Sequence, residues 1–317
     1  MNILHIGLMV NGRNEGLSKA FRDIADNYAE FPPNHNLVNQ VKGLDFKPDI
    51  IFCQIQDDKI RNGRDVYSTV SILKEAFQGL DSFIVNWTGD MRDSTPQWII
   101  EFAPFVSVTA FSNQRDVDYI RSKGHRSEFL QIGIDPVTFK KWQQPEGMDI
   151  VFMGNHNGHF PLSSERMRVV NTIKNYYGSK FAVYGNGYPG SRGSLNANGN
   201  DPFPIQSQES KIYNSAKIGI SVSHYNSDRY VSDRLLRIMG SNCFALSHHF
   251  EGIEKDFEVG KHLDTFKNHN ELVSKIKFYL ENPSKREEIR DNGFKLVHTM
   301  YTYSNMVDNI IYLSKTQ

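Results

Sequence analysis

The sequence is poor in the features that would narrow its chemistry at once. It has only two cysteines, Cys53 and Cys243, too few for a disulfide framework or a thiolate metal centre. Each lies in an apolar run, which fits small buried thiols in a reducing cytoplasm. No apolar run approaches the about 20 residues that a helical membrane span needs. The opening MNILHIGLMVNG lacks a basic leader and a cleavage site, and reads as a first strand. Net charge is absent too, because 36 Lys and Arg cancel 36 Asp and Glu. That balance argues against a general polyanion-coating protein and leaves room only for a local basic groove. There is no GxSxG, HExxH, CxxC pair or Walker A segment, so hydrolase, zinc-protease and P-loop readings lose their main support. No short-period repeat is present, and the one low-complexity tract, GSLNANGND, reads as a surface loop.

What is there is alternation. In the first half, strand signals NILHIGLM, DIIFCQI, SFIVNW and FVSVTAF alternate with helical patterns over Ser18 to Tyr28, Tyr67 to Gln78 and Asn113 to Lys123, and FLQIGI adds a further strand. This implies a parallel, doubly wound α/β sheet. The polar stretch DPVTFKKWQQPEGM, with two prolines, reads as an interdomain linker. The pattern then restarts: strand DIVFMG, helix Ser164 to Tyr177, strand FAVYG, helix Gln208 to Ala216, strand IGISVS, a helix after Ser232, strand CFALSH and a long C-terminal helical stretch. Two α/β domains are expected, residues 1–140 and 141–300, with 301–317 a helix returning to the first. In such sheets ligands bind beyond the carboxyl ends of the strands, which directs attention to the loops there.

Five segments carry chemistry. Ser232 stands at an N-cap position before Leu235, Leu236, Ile238 and Met239, with Gly240 as the stop. The open N–H groups of such a helix favour a phosphate, and Arg229 and Arg234 bracket the same end with forked donors. A capped surface helix with two solvated arginines is the plainer alternative. The loop Val10-Asn11-Gly12-Arg13-Asn14-Glu15-Gly16 follows the first strand but has no Walker lysine and no GxGxxG, and a flexible βα connection is its plainer reading. The segment Asn86-Trp87-Thr88-Gly89-Asp90-Met91-Arg92-Asp93 ends an apolar strand and offers Asp90 as a general base, with a turn in which Asp90 caps the next helix as the plainer local reading. Arg92 would lower the pKa of either neighbouring carboxylate. The loop Gly154-Asn155-His156-Asn157-Gly158-His159 has two histidines but no adjacent carboxylate or thiol, a poor metal site. Tyr184-Gly185-Asn186-Gly187-Tyr188 offers amides and rings for a heterocyclic base, or a plain turn. Asp116-Val117-Asp118 is formally a DxD metal motif. It falls in an amphipathic helical pattern and reads as a solvated face, so no metal is expected.

The second half resembles the glycosyl transferase group-1-like C-terminal domain of CgeB-type spore-maturation proteins. The resemblance rests on Arg234 before a short apolar helix, then CFALS, EGIEKDF, NELVSKIKFYLENP and REEIRDNGFKLVHTMYTY; NWTGDMRD and FSNQRDVDYIRSKGHRSEFLQIGID extend it into the first half. It implies the GT-B fold, two facing Rossmann-like domains with a cleft between them. It also implies a donor diphosphate at the helix after Ser232, a donor base near Tyr184, and the acceptor on the N-terminal domain. The expected donor residues are Gly154, Asn155, His156, Tyr184, Gly185, Asn186, Arg229, Ser232, Asp233 and Arg234. The acceptor residues are Asn11, Gly12, Arg13, Glu15, Trp87 and Arg92, with Asp90 as base. One departure stands out: where the family often has a glutamate three residues after the arginine, this chain has Arg237.

The expected activity is therefore metal-independent transfer of a sugar from a nucleotide-diphosphate donor, a UDP-sugar for preference, to a hydroxyl of a glycan, a protein or a modified DNA base. Lys19, Arg22, Arg61 and Arg64 are available for a DNA backbone. A non-catalytic nucleotide-sugar-binding protein and an epimerase of the same fold remain as alternatives.

Overall fold

The computed structural model describes residues 1–7, 15–55, 66–145, 147–195 and 205–316. The chain divides into two compact units, Met1–Gly133 with Tyr303–Gln317, and Ile134–Thr302.

The first unit is built on six parallel strands: β1 (Asn2–Gly7), β2 (Asn27–Phe31), β3 (Ile50–Gln54), β4 (Phe83–Thr88), β5 (Val108–Phe111) and β6 (Ser127–Phe129). Their order is β2-β1-β3-β4-β5-β6. The central strands are buried along most of their length because helices cover both faces, which is why they read as continuous apolar runs. The helices are α1 (Glu15–Ile24), α2 (Leu37–Lys42), α3 (Val66–Ala76), α4 (Gln97–Phe102) and α5 (Gln114–Ser122). The last helix of the chain, α11 (Tyr303–Lys315), belongs to this unit: Met306, Val307 and Ile310 are buried in one cluster with Leu17 and Phe21 of α1. Burial of each such side chain is worth roughly 1.5–3 kcal/mol.

Expectation and structure part at two places here. Helix α1 stops at Ile24 rather than Tyr28, and Asn27 and Tyr28, expected at the helix end, begin a strand, Asn27–Phe31. Asp116 is 2% exposed, not on a solvated face. Its carboxylate takes hydrogen bonds from Asn113 and Thr95 and an ion pair from Arg115, while Asp118 is exposed. The Asn113 side chain in turn caps α5 by accepting from the Asp116 N–H.

Under α1 lies a buried polar knot. His5 Nδ1 is 3.1 Å from the Tyr28 hydroxyl, and both Tyr28 and Ser18 donate to Glu30. The ring packs between Phe21 and Phe52. Burial pulls the His5 pKa down to about 4, against the attraction of Glu30. Because the unfolded chain takes up the proton near the ordinary histidine value, stability is lost as pH falls from about 6.5 to about 4 and the loss levels off below that. The full effect is on the order of 3 kcal/mol. Thermal melts between pH 7 and 4 should show a shallower acid-side decline in His5→Phe than in the wild type; an identical decline would assign the effect elsewhere.

The second unit carries five parallel strands: β7 (Met148–Met153), β8 (Phe181–Tyr184), β9 (Ala216–Ser221), β10 (Phe244–His248) and β11 (Asp264–Phe266). They are ordered β11-β10-β9-β7-β8. The helices are α6 (Ser163–Tyr177), α7 (Ile205–Asn214), α8 (Asp233–Gly240), α9 (His269–Glu281) and α10 (Pro283–Met300). The long C-terminal helical stretch breaks at Asn282-Pro283, where proline can start a helix but not continue one. From β7 the chain crosses to β8 on one side and returns to β9 on the other, so the switch point lies between the carboxyl ends of β7 and β9. That is where an open α/β sheet binds its ligand. In the first unit the corresponding point lies between β1 and β3.

Candidate functional site

Two guanidinium groups meet at the β7/β9 switch point. Arg234, from the first turn of α8, does not reach outward past its helix. Its Nε donates to the Met153 carbonyl at 2.5 Å and its Nη1 to the Val222 carbonyl at 3.0 Å, tying it across the ends of both strands. The second group is Arg166 of α6, which the sequence reading did not single out. Its side chain is 0% exposed, and none of its three guanidinium nitrogens has a hydrogen-bond partner among the described residues. Both cations lie beside the Phe152 ring, 5.5 Å and 5.6 Å from its centroid. Burial, and then the Arg234 charge, pull the Arg166 pKa down to about 10, so it stays charged at neutral pH. The Tyr188 hydroxyl favours that charge but makes no hydrogen bond to it of proper geometry.

Glycine leaves room for this pair. A Cβ on Gly154, whose φ is +152°, would stand 2.6 Å from Nη2 of both arginines. The loops expected to hold the donor are laced together around it. Gly154 N–H donates to the Tyr184 carbonyl, His156 N–H to the Asn186 carbonyl, and Asn186 N–H to the Asn155 side chain, each at 2.9 Å. At Gly185 any side chain would run into the Gly154 carbonyl, with a Cβ only 2.2 Å away. The Tyr184 ring is half-buried and carries Arg192 over its face at 5.6 Å. Gly154, Asn155, His156, Tyr184, Gly185, Asn186 and Arg234 thus stand in one cluster, assembled from the ends of β7 and β8 and the start of α8.

Three other expected donor residues have different surroundings. Ser232 has the extended backbone of an N-cap, φ −68° and ψ 147°, but its side chain makes no capping bond. The Asp233 carboxylate instead accepts the Arg234 N–H at 2.7 Å and pairs with Arg237 at 2.9 Å, filling part of the helix end expected to be open. Arg229 is held in a two-pronged ion pair by Asp256, at 3.0 and 2.7 Å, which raises its pKa. Its φ of +57° is unusual for a side chain of this size. Arg237, at the position where a glutamate was expected, is not without carboxylates. It sits between Asp233 and the Glu209 carboxylate of α7, 3.1 Å away, and burial raises the Glu209 pKa although Arg237 opposes this.

On the first unit, Asn11, Gly12 and Arg13 lie outside the described residues, as do Arg61 and Arg64. Glu15 is exposed in the first turn of α1, where its charge suits the helix dipole. Lys19 pairs with Asp23, and Arg22 lies over the Tyr28 ring. Trp87 is a core residue, 1% exposed, with its indole N–H on the Leu130 carbonyl at 2.9 Å. Asp90 is exposed just beyond the end of β4, and no helix begins at it; the next, α4, starts at Gln97. Arg92 donates to the Met91 carbonyl. Among the described residues no three His, Cys, Asp or Glu side chains group as metal ligands, and no helix is long and apolar enough to cross a membrane.

Residues 166–312 match a family described as glycosyl transferase-like, a stretch that begins at the buried arginine and includes Arg234. Three solved structures superpose over nearly the whole chain. A UDP-glucose complex of Anabaena HepE has a TM-score of 0.68 at 10% identity, covering 100% of both chains. A sucrose-phosphate synthase from Thermosynechococcus elongatus gives 0.65 at 9%, covering 100% of this chain and 99% of the other. A glycosyltransferase from Rickettsia africae gives 0.65 at 10%, covering 99% and 98%. No curated protein sequence matches the chain. The superpositions show the GT-B fold, and residues 166–312 are similar to the glycosyl transferase-like family.

Proposed function

We propose that the protein transfers a sugar from a UDP-sugar to a hydroxyl acceptor, with Arg166 and Arg234 holding the donor diphosphate. The observation that carries this reading is the buried, unpartnered Arg166 guanidinium beside Arg234 at the β7/β9 switch point. Two fixed positive charges in a partly dehydrated recess favour a dianion and would stabilise the leaving diphosphate as the glycosidic bond breaks. HepE, of the same fold, has been solved with UDP and with UDP-glucose, and this supports the choice of base. The direct test is calorimetric titration with UDP, ADP, GDP and UDP-glucose. Absence of binding by every nucleotide would end the reading.

Metal independence belongs to the same proposal, because the two guanidinium groups supply the positive charge that a divalent cation would otherwise bring. Turnover in EDTA should stay within about twofold of the untreated rate. A loss restored by magnesium or manganese would reverse this.

The acceptor is a hydroxyl of a glycan, a protein or a modified DNA base. Salt-sensitive retention on a DNA column would single out the last. The alternative of a nucleotide-sugar-binding protein without activity has Arg237 in its favour. Release of UDP from UDP-sugar without acceptor would exclude it.

A further inference from the structure

The loop after β9, whose Val222 carbonyl holds Arg234, carries a ring nitrogen of note two residues further on. His224 Nε2 is buried and has no hydrogen-bond partner among the described residues. The residue is held firmly. Its ring stacks on Phe160 with centroids 4.2 Å apart and planes 23° from parallel, and its carbonyl accepts the Leu162 N–H at 3.1 Å. Phe160 also packs against the rings of His159 and Tyr225. Burial, then the charges of Arg166 and Arg234, bring its pKa down to about 3, with a hydrogen bond to the Asn155 backbone working the other way. The ring is therefore neutral at any working pH and adds no charge to the two guanidinium groups.

We propose that His224 is a specificity-determining residue of the donor site, its Nε2 binding a hydroxyl of the transferred sugar next to the diphosphate held by Arg166 and Arg234. The proposal rests on the UDP-sugar reading of that site. A diphosphate only accepts hydrogen bonds, and the forked donors of two arginines suit it. A neutral imidazole offers one donor and one acceptor, and a hydroxyl, which both donates and accepts, satisfies either tautomer. A buried ring nitrogen with no protein partner among the described residues is a group that a substrate hydroxyl can satisfy.

The test compares UDP with UDP-sugars in His224→Phe, which keeps the stack on Phe160 and removes Nε2, and in His224→Asn, which keeps a donor and an acceptor. Calorimetry gives the dissociation constants for UDP and UDP-glucose, and donor turnover is followed over a panel of UDP-sugars. In His224→Phe the UDP constant should stay within about twofold of wild type, while kcat/KM for the preferred UDP-sugar falls about tenfold and discrimination among sugars narrows. His224→Asn should recover part of that loss. Equal losses for UDP and UDP-sugar would place the ring on the nucleotide or in the fold and overturn the proposal, as would unchanged discrimination in both variants. A wild-type protein that binds no UDP would instead overturn the donor reading on which the proposal stands.

Discussion

Arg166→Met is expected to lose UDP affinity and gain stability in the same stroke. The fold buries this guanidinium completely, gives its three nitrogens no hydrogen-bond partner among the described residues and places a second cation beside it. An uncompensated buried charge is costly, and an apolar side chain of similar volume removes that cost. The unliganded variant should therefore gain about 1–3 kcal/mol, seen as a higher melting temperature. UDP loses a charge-assisted contact worth about 1.5–3 kcal/mol, roughly 10- to 150-fold in Kd. Arg234→Ala should weaken UDP by a similar factor but with the opposite effect on stability, because it orphans the Met153 and Val222 carbonyls. Opposite signs at neighbouring arginines separate an anion site from a structural cation pair. A lower melting point in Arg166→Met with UDP affinity intact would make Arg166 part of the scaffold.

The sequence shows why Arg166 escapes a reading by motif. The helix SSERMRVVNTIK has no glycine turn and no known signature, and Arg168 two residues on is an ordinary solvent-facing partner of Glu165. The available signal was periodicity. Arg166 falls in step with Val169, Val170 and Ile173, all buried, so an arginine sits on the apolar stripe of α6. A charge on a buried stripe is the exception that asks for a partner or a ligand. Arg229 is the converse case. It flanks α8 in sequence, but its carboxylate, Asp256, is 27 residues away and cannot be paired with it from the sequence alone. Strand β2 was invisible for a related reason: NYAEF is a half-buried edge strand whose Glu30 turns to His5 and Ser18, so no apolar run marks it. The two sheets and the short helix before CFALS were legible, because they follow from strand-like apolar runs and a local capping pattern; that the Gly154 and Tyr184 loops belong together was implied only by the family resemblance.

The second large effect is expected at Asp90, the proposed general base for the acceptor hydroxyl. Its case rests on placement. The carboxylate is exposed two residues beyond the carboxyl end of β4, the side of a parallel sheet on which ligands gather. The loop that carries it is held in position. Ser112 donates to the Gly89 carbonyl at 2.5 Å, and the Gly89 backbone lies so close to the Trp87 ring that a Cβ there would come within 2.4 Å of it. Arg115 donates to the carbonyls of Arg92 and Asp93, while Thr95 is tied to Asp116. Trp87, expected beside the acceptor, thus contributes from underneath as a packed support. Asp90→Asn preserves shape and removes the proton acceptor, so turnover should fall about 10²- to 10⁴-fold, the usual worth of general base catalysis, with UDP affinity within about twofold of wild type. Asp93→Asn, on the same loop, should leave turnover within a few-fold and so controls for disturbance of the loop. Near-wild-type turnover in Asp90→Asn would remove the carboxylate from the chemistry. The acceptor proton would then pass to the departing diphosphate, and the charge of the Arg166–Arg234 pair would bear on both bond breaking and proton transfer.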